Sequence, residues 1–156
     1  MEVINITNPR IRPEPDKIPD IKPPIPPQPP SGAITIQIPN FPPTWYMTWD
    51  MYTMAAYKIC VTLKDSSKTY VNNACQASTN PEPPLARGRD KIAGNNLQIA
   101  FDIPQAKHII YYIHQYTIPR LNGKPAGHGF VLGVEDWTDA DYNDLFVSMV
   151  CWEHPF

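Results

Sequence analysis

Proline is the residue that most constrains this chain. Twenty of its 156 residues are proline, and most of them lie before residue 44. Pro9, Pro13, Pro15 and Pro19 are followed by Lys22-Pro23-Pro24-Ile25-Pro26-Pro27-Gln28-Pro29-Pro30. A proline ring fixes φ and removes a backbone donor, so neither a helix interior nor a central strand forms through such a stretch. Polyproline II is the default conformation, and thirty such residues reach on the order of 90 Å. The chain therefore divides into an extended arm over residues 1–43 and a body over residues 44–156, whose first strand starts as early as Ala33.

Isoleucines punctuate the arm at Ile4, Ile6, Ile11, Ile18, Ile21 and Ile25. A pure spacer has no need of them, and they read as anchors that dock into a protein partner. Two other readings stand beside this one. Such a composition ordinarily gives a disordered linker, and Pro23-x-x-Pro26 is a minimal polyproline ligand.

The body carries β signals throughout. Ala33–Ile38 alternates apolar and polar residues with period two. Trp45–Thr53 is rich in Trp, Tyr, Met and Thr, which suits a strand, with Trp45, Tyr46 and Trp49 read as core in preference to a sugar-stacking face. Ala56–Lys64 turns through Asp65-Ser66-Ser67-Lys68 into Thr69-Tyr70-Val71, a hairpin. Asn80–Asn96 reads as an irregular loop carrying Arg87 and Arg89. Leu97–Ile103, Lys107–Thr117, His128–Leu132 and Leu145–Trp152 complete about eight strands, with a turn over Asn122–Pro125. With no helical periodicity, this pattern predicts an all-β fold, an antiparallel β-sandwich or jelly roll behind the Pro-rich arm.

Several classes of function are disfavoured. A formal net charge of −2 without a Lys/Arg cluster gives nucleic acid no phosphate-tracking surface. No apolar run approaches the roughly 20 residues of a membrane helix. The N-terminal residues offer neither a basic nor an apolar signal region, so a secretion signal is not expected. The spacing of His108, His114, His128 and His154 matches no short metal motif, and no nucleophile elbow or phosphate loop is present. Cys60, Cys75 and Cys151 are odd in number. Free buried thiols are the favoured reading, a Cys60–Cys75 bridge remaining open because a regular hairpin would not set the two opposite each other.

The densest chemistry lies near the C-terminus, in Gly133-Val134-Glu135-Asp136-Trp137-Thr138-Asp139-Ala140-Asp141-Tyr142-Asn143-Asp144-Leu145. Five of the fifteen carboxylates fall between residues 135 and 144. Charges so crowded need a counter-charge or full solvation. Asp139, Asp141 and Asn143 alternate, as do the opening ligands of a loop that wraps a hard cation. It is no EF-hand: counting from Asp139, Asp144 stands where glycine is needed and Val150 where the bidentate glutamate is needed. A cation here, expected to be Ca2+, takes Asp139, Asp141, Asn143, Asp144, Glu135 and Asp136 as its candidate ligands. The alternative is an Asx-rich turn without metal.

This stretch resembles the signature of DUF4114-type domains, β-rich modules of bacterial surface proteins whose acidic motif is associated with calcium. The matching residues are Gly133, Glu135, Asp136, Asp139, Asp141, Tyr142, Asn143, Asp144, Leu145 and Val147, and Trp137-Thr138 replaces the family's Gly-rich spacer. The resemblance implies a calcium-associated β-domain.

Arm and body together read as a structural, non-enzymatic assembly protein: a bacteriophage virion component such as a capsid decoration or tail protein, with protein partners and possible self-association. The alternative is a calcium-dependent adhesin or carbohydrate-binding module at a cell surface, with a glycan as partner.

Overall fold

The computed structural model describes residues 33–136 and 144–155. The arm's isoleucines, Ile4, Ile6, Ile11, Ile18, Ile21 and Ile25, lie outside the described residues. Nine strands are seen among those described: β1 (Ala33–Gln37), β2 (Tyr46–Thr53), β3 (Ala55–Lys64), β4 (Thr69–Ser78), β5 (Ala86–Lys91), β6 (Gln98–Asp102), β7 (Ile110–Pro119), β8 (Pro125–Glu135) and β9 (Leu145–Trp152). They form an antiparallel β-sandwich with a four-stranded sheet, β1-β6-β3-β4, and a five-stranded sheet, β5-β2-β9-β8-β7. The strand from Ala33 thus belongs to the sandwich.

Alternation in the sequence becomes burial in the fold. Ile59, Val61 and Leu63 of β3 with Ile99 and Phe101 of β6 face Met47, Trp49 and Met51 of β2, Phe130, Leu132 and Val134 of β8, and Leu145, Val147 and Met149 of β9. Each large side chain so buried contributes about 1.5–3 kcal/mol from loss of apolar contact with water. Trp49 is core, as expected.

Two expectations are corrected. The stretch around Arg87-Gly88-Arg89-Asp90 is strand β5, not loop. It pairs with β2 from Tyr46↔Lys91 to Met51↔Ala86 and ends the five-stranded sheet. An edge strand needs little apolar patterning, and here one neighbour supplies the packing. A Cβ on Gly88 would lie 2.4 Å from the Trp49 ring, so glycine lets the indole lie against the β5 backbone. The cations are paired as well: Arg87 donates to Asp50 and to Tyr52 Oη.

The second correction concerns the cysteines. Cys60 and Cys75 are disulfide-bonded, and only Cys151 is a free thiol. Regular pairing outward from Lys64↔Thr69 would place Cys60 opposite Asn73. Two register shifts, one between Lys64 and Leu63 and one between Leu63 and Val61, advance β4 until Cys60 faces Cys75. Asn73, in the second shift, adopts φ 46°, in the left-handed region, a conformation asparagine tolerates. Its N–H donates to Thr62 Oγ1 at 3.1 Å. Bulges leave no simple mark in sequence, and they decide the pairing.

One buried carboxylate fastens the end of the four-stranded sheet. Asp65 is 7 % exposed. Its Oδ1 accepts the N–H groups of Ser67 at 2.7 Å and Lys68 at 2.8 Å. Its Oδ2 accepts those of Gly94 at 2.8 Å and Ala93 at 3.1 Å, and the Tyr70 hydroxyl. The β3–β4 turn is thereby tied to the loop before β6. Burial pushes the Asp65 carboxyl up, but the bonds from Tyr70, Ser67, Gly94 and Lys68 together hold it below its ordinary value. Gly94 is confined too, since a Cβ there would lie 2.4 Å from Ser66 Oγ.

Two outcomes follow. Breaking the bridge with Cys60→Ser plus Cys75→Ser should cost about 2–3 kcal/mol in denaturant melts, as for a loop of 15 residues. Asp65→Ala should cost about 3 kcal/mol at neutral pH, because it strands buried donors. A depressed folded pKa stabilises above the unfolded value and ceases to do so as pH falls through the folded one. The gap between wild type and Asp65→Ala should therefore close as pH falls below about 4, and a gap constant with pH would contradict this role.

Candidate cation and ligand site

The acidic stretch sits where the β8–β9 hairpin opens. Val134↔Leu145 is its last rung. Glu135 closes β8 and pairs on the other side with Ile110 of β7. β8 is paired on both flanks as far as Val134, and the acids that follow are buried: Glu135 is 1 % exposed and Asp136 is 7 % exposed. Asp144, half-buried, enters from the β9 side.

Glu135, Asp136 and Asp144 are brought together, each with a carboxylate oxygen within 4.8 Å of the others'. Two backbone bonds fix Asp144. The Asp136 N–H donates to its Oδ2 at 2.7 Å, and the Met54 N–H donates to its carbonyl at 3.1 Å. Met54 links β2 to β3, so the corner of the opposite sheet is clamped to the acidic site. Thr53 beside it is buried and donates from Oγ1 to Gln76 Oε1 at 3.0 Å. Of the six ligands expected from sequence, Glu135, Asp136 and Asp144 therefore converge. Asp139, Asp141 and Asn143 lie outside the described residues. The Met54 clamp was not foreseen, since a backbone N–H leaves no trace in side-chain patterning.

The donor set is three carboxylates, with neither thiolate nor imidazole. Such a set fits a hard, oxygen-seeking cation such as Ca2+ and not zinc. Crowded, largely buried carboxylates remain ionised only against a counter-charge. The other titratable candidate, the Cys151 thiol, is pushed up to about 12, with burial the largest cause. A thiol held protonated is a poor nucleophile. Among the described residues no helix is long and apolar enough to cross a membrane.

No protein-family model matches the chain, and no curated protein does either. Solved structures do. The fold is similar to the Chromobacterium violaceum lectin CV2L, solved with α-methyl-fucoside, at a TM-score of 0.53 and 17 % identity over 81 % of this chain and 97 % of that one. It is similar to the high-affinity mannose-binding lectin of Ralstonia solanacearum, at 0.54 and 15 % identity over 80 % and 96 % of the two chains. The C-terminal domain of the BC2L-C lectin from Burkholderia cenocepacia matches at 0.54 and 19 %, over 81 % and 97 %.

These likenesses are of fold, and they overturn the virion reading. The compact β-body that suggested a capsid decoration or tail component has the architecture of bacterial lectins. Localisation in a virion falls with that reading.

Asp144→Asn tests the site while keeping an oxygen for the Asp136 N–H. In EDTA the variant should melt no lower than wild type, because it removes one of three crowded charges. Calcium should raise the wild-type midpoint by several degrees, as a ligand of the folded state does, and leave the variant unmoved. Coincident wild-type curves in calcium and EDTA would contradict a cation site.

Proposed function

We propose that this chain is a calcium-dependent carbohydrate-binding module, a lectin and not an enzyme, acting at a cell surface or outside the cell. The observation that carries the reading is the convergence of Glu135, Asp136 and Asp144 at one end of a sandwich whose solved likenesses are lectins. The resemblance of the same stretch to calcium-associated DUF4114-type domains supports it from the sequence side.

The residues divide the work in a simple way. Glu135, Asp136 and Asp144 would hold the cation, with Asp139, Asp141 and Asn143 as further ligands from the same stretch. Calcium accepts six to eight oxygens, so a bound ion neutralises the acids and offers remaining positions to neighbouring sugar hydroxyls. The chain supplies rigidity: β7 and β9 flank β8, and the Met54 clamp fixes Asp144, so the site is organised before a ligand arrives. Neutral sugars of the fucose and mannose class, which the similar lectins carry or are named for, are the first ligands to try.

The Cys60–Cys75 bridge agrees with this location. Structural disulfides persist in oxidising compartments and are rare in the cytosol. The bridge lies on the face of the four-stranded sheet away from the core, with Cys75 exposed.

Calorimetric titration with methyl α-fucoside and methyl α-mannoside tests the function. Saturable binding in calcium to at least one sugar is expected, lost in EDTA and at least tenfold weaker in Asp144→Asn, a change of about 1.4 kcal/mol or more. Binding of equal strength in EDTA, or none to either sugar with calcium present, would contradict the reading.

A further inference from the structure

The opposite end of the β8–β9 hairpin carries a second concavity of about 300 Å³, lined by Arg120, Ala126, Trp152, His154 and Pro155. From Ala126 to Glu135 the chain advances nine strand residues, so this hollow lies on the order of 30 Å from the acidic site. We propose that it is a second ligand site, independent of the cation, that takes a carboxylated pyranose of the uronic-acid class.

The walls are built and held. Trp152 pairs with Gly127, and a Cβ on Gly127 would lie 3.0 Å from the indole Cε3 and 2.6 Å from the Cys151 carbonyl. Glycine thus lets the indole settle on the β8 backbone. The Arg120 N–H donates to Lys124 O at 2.9 Å, and the Gly123 N–H returns to Arg120 O at 2.9 Å. The Glu153 N–H donates to Ala126 O at 3.3 Å. Gly123 sits at φ 78°, a turn position that favours glycine. Strand end and turn are therefore fixed relative to each other.

The chemistry of the lining selects the ligand. An indole, a proline ring and an alanine methyl make apolar surfaces of the kind that receive the C–H face of a sugar ring. The Arg120 guanidinium is a planar fork suited to a carboxylate. It already pairs with one, the side chain of Glu153, and His154 Nε2 stands 4.0 Å from that same carboxylate. Glu153 therefore both orients Arg120 and competes for it. Arg120 and Glu153 remain accessible, with side chains 31 % and 41 % exposed, so an incoming carboxylate can displace the internal one.

The test uses the full chain in EDTA, which silences the acidic site and separates failure of this inference from failure of the proposed lectin activity. Methyl β-D-glucuronide is titrated against methyl β-D-glucoside as the neutral control, by calorimetry. Saturable binding of the glucuronide, with the glucoside markedly weaker, is expected. Trp152→Phe should weaken it about tenfold through loss of ring surface, and Arg120→Gln should abolish the preference for the charged sugar. Glu153→Gln frees Arg120 and should tighten binding several-fold, a gain that misfolding cannot produce. No saturable binding, equal binding of the two sugars, or weaker binding in Glu153→Gln would each overturn the site.

Discussion

The antiparallel pairing of β8 with β9 is the constraint on which the rest of this structure depends. Its rungs run from Gly127↔Trp152 to Val134↔Leu145. Along the middle they deliver Phe130, Leu132, Leu145, Val147 and Met149 to the core, all but Met149 wholly inaccessible. Just beyond the last rung they leave the chain no choice but to carry Glu135, Asp136 and Asp144 close together. At the other end the same pairing sets Trp152 on Gly127. The hydrogen-bond ladder is thus what converts a local acidic sequence into a buried cluster, and what separates that cluster from the Trp152 hollow.

Among the described residues, buried carboxylates occur in two different settings. Asp65 is surrounded by backbone N–H groups and one tyrosine hydroxyl, and these donors hold its negative charge without any ion. The charge is compensated by dipoles the fold itself supplies. At the hairpin end, three carboxylates approach one another instead. The Asp136 N–H is directed at Asp144. The first is a structural fastening, and the second is the cluster to which the proposed cation is assigned. The tyrosine in the Asp65 cluster feels the same arrangement from the other side, its hydroxyl pushed well above its ordinary value by burial and by the neighbouring carboxylate.

Much of this fold was legible in the sequence, because alternation is a direct record of which face meets the core. Ala33–Ile38, Leu97–Ile103 and Leu145–Trp152 read as strands on that ground and are strands. The edge strand β5 did not, since Arg87, Arg89 and Lys91 face solvent and its packing partner is an indole over a glycine. The Cys60–Cys75 bridge was hidden by bulges, which shift register without changing composition. Crowding of acids in the sequence pointed to Glu135, Asp136 and Asp144, which the fold brings close together, whereas the clamp from Met54 and the hollow around Arg120 arise from contacts between residues distant in the chain. The virion reading failed for a different reason. It rested on the arrangement of arm and body, and architecture of that kind is shared by proteins of unrelated function.

The most direct test of the central claim is a calorimetric titration of calcium into the full chain after chelator treatment, with no sugar present. Saturable binding to the wild-type chain, strongly weakened in Asp144→Asn and much weaker for magnesium, is the predicted result. Magnesium is smaller and demands stricter octahedral geometry than a cluster of carboxylates at a hairpin end offers. A wild-type chain that takes up no calcium would contradict the account, for the three acids would then be held together by the fold alone.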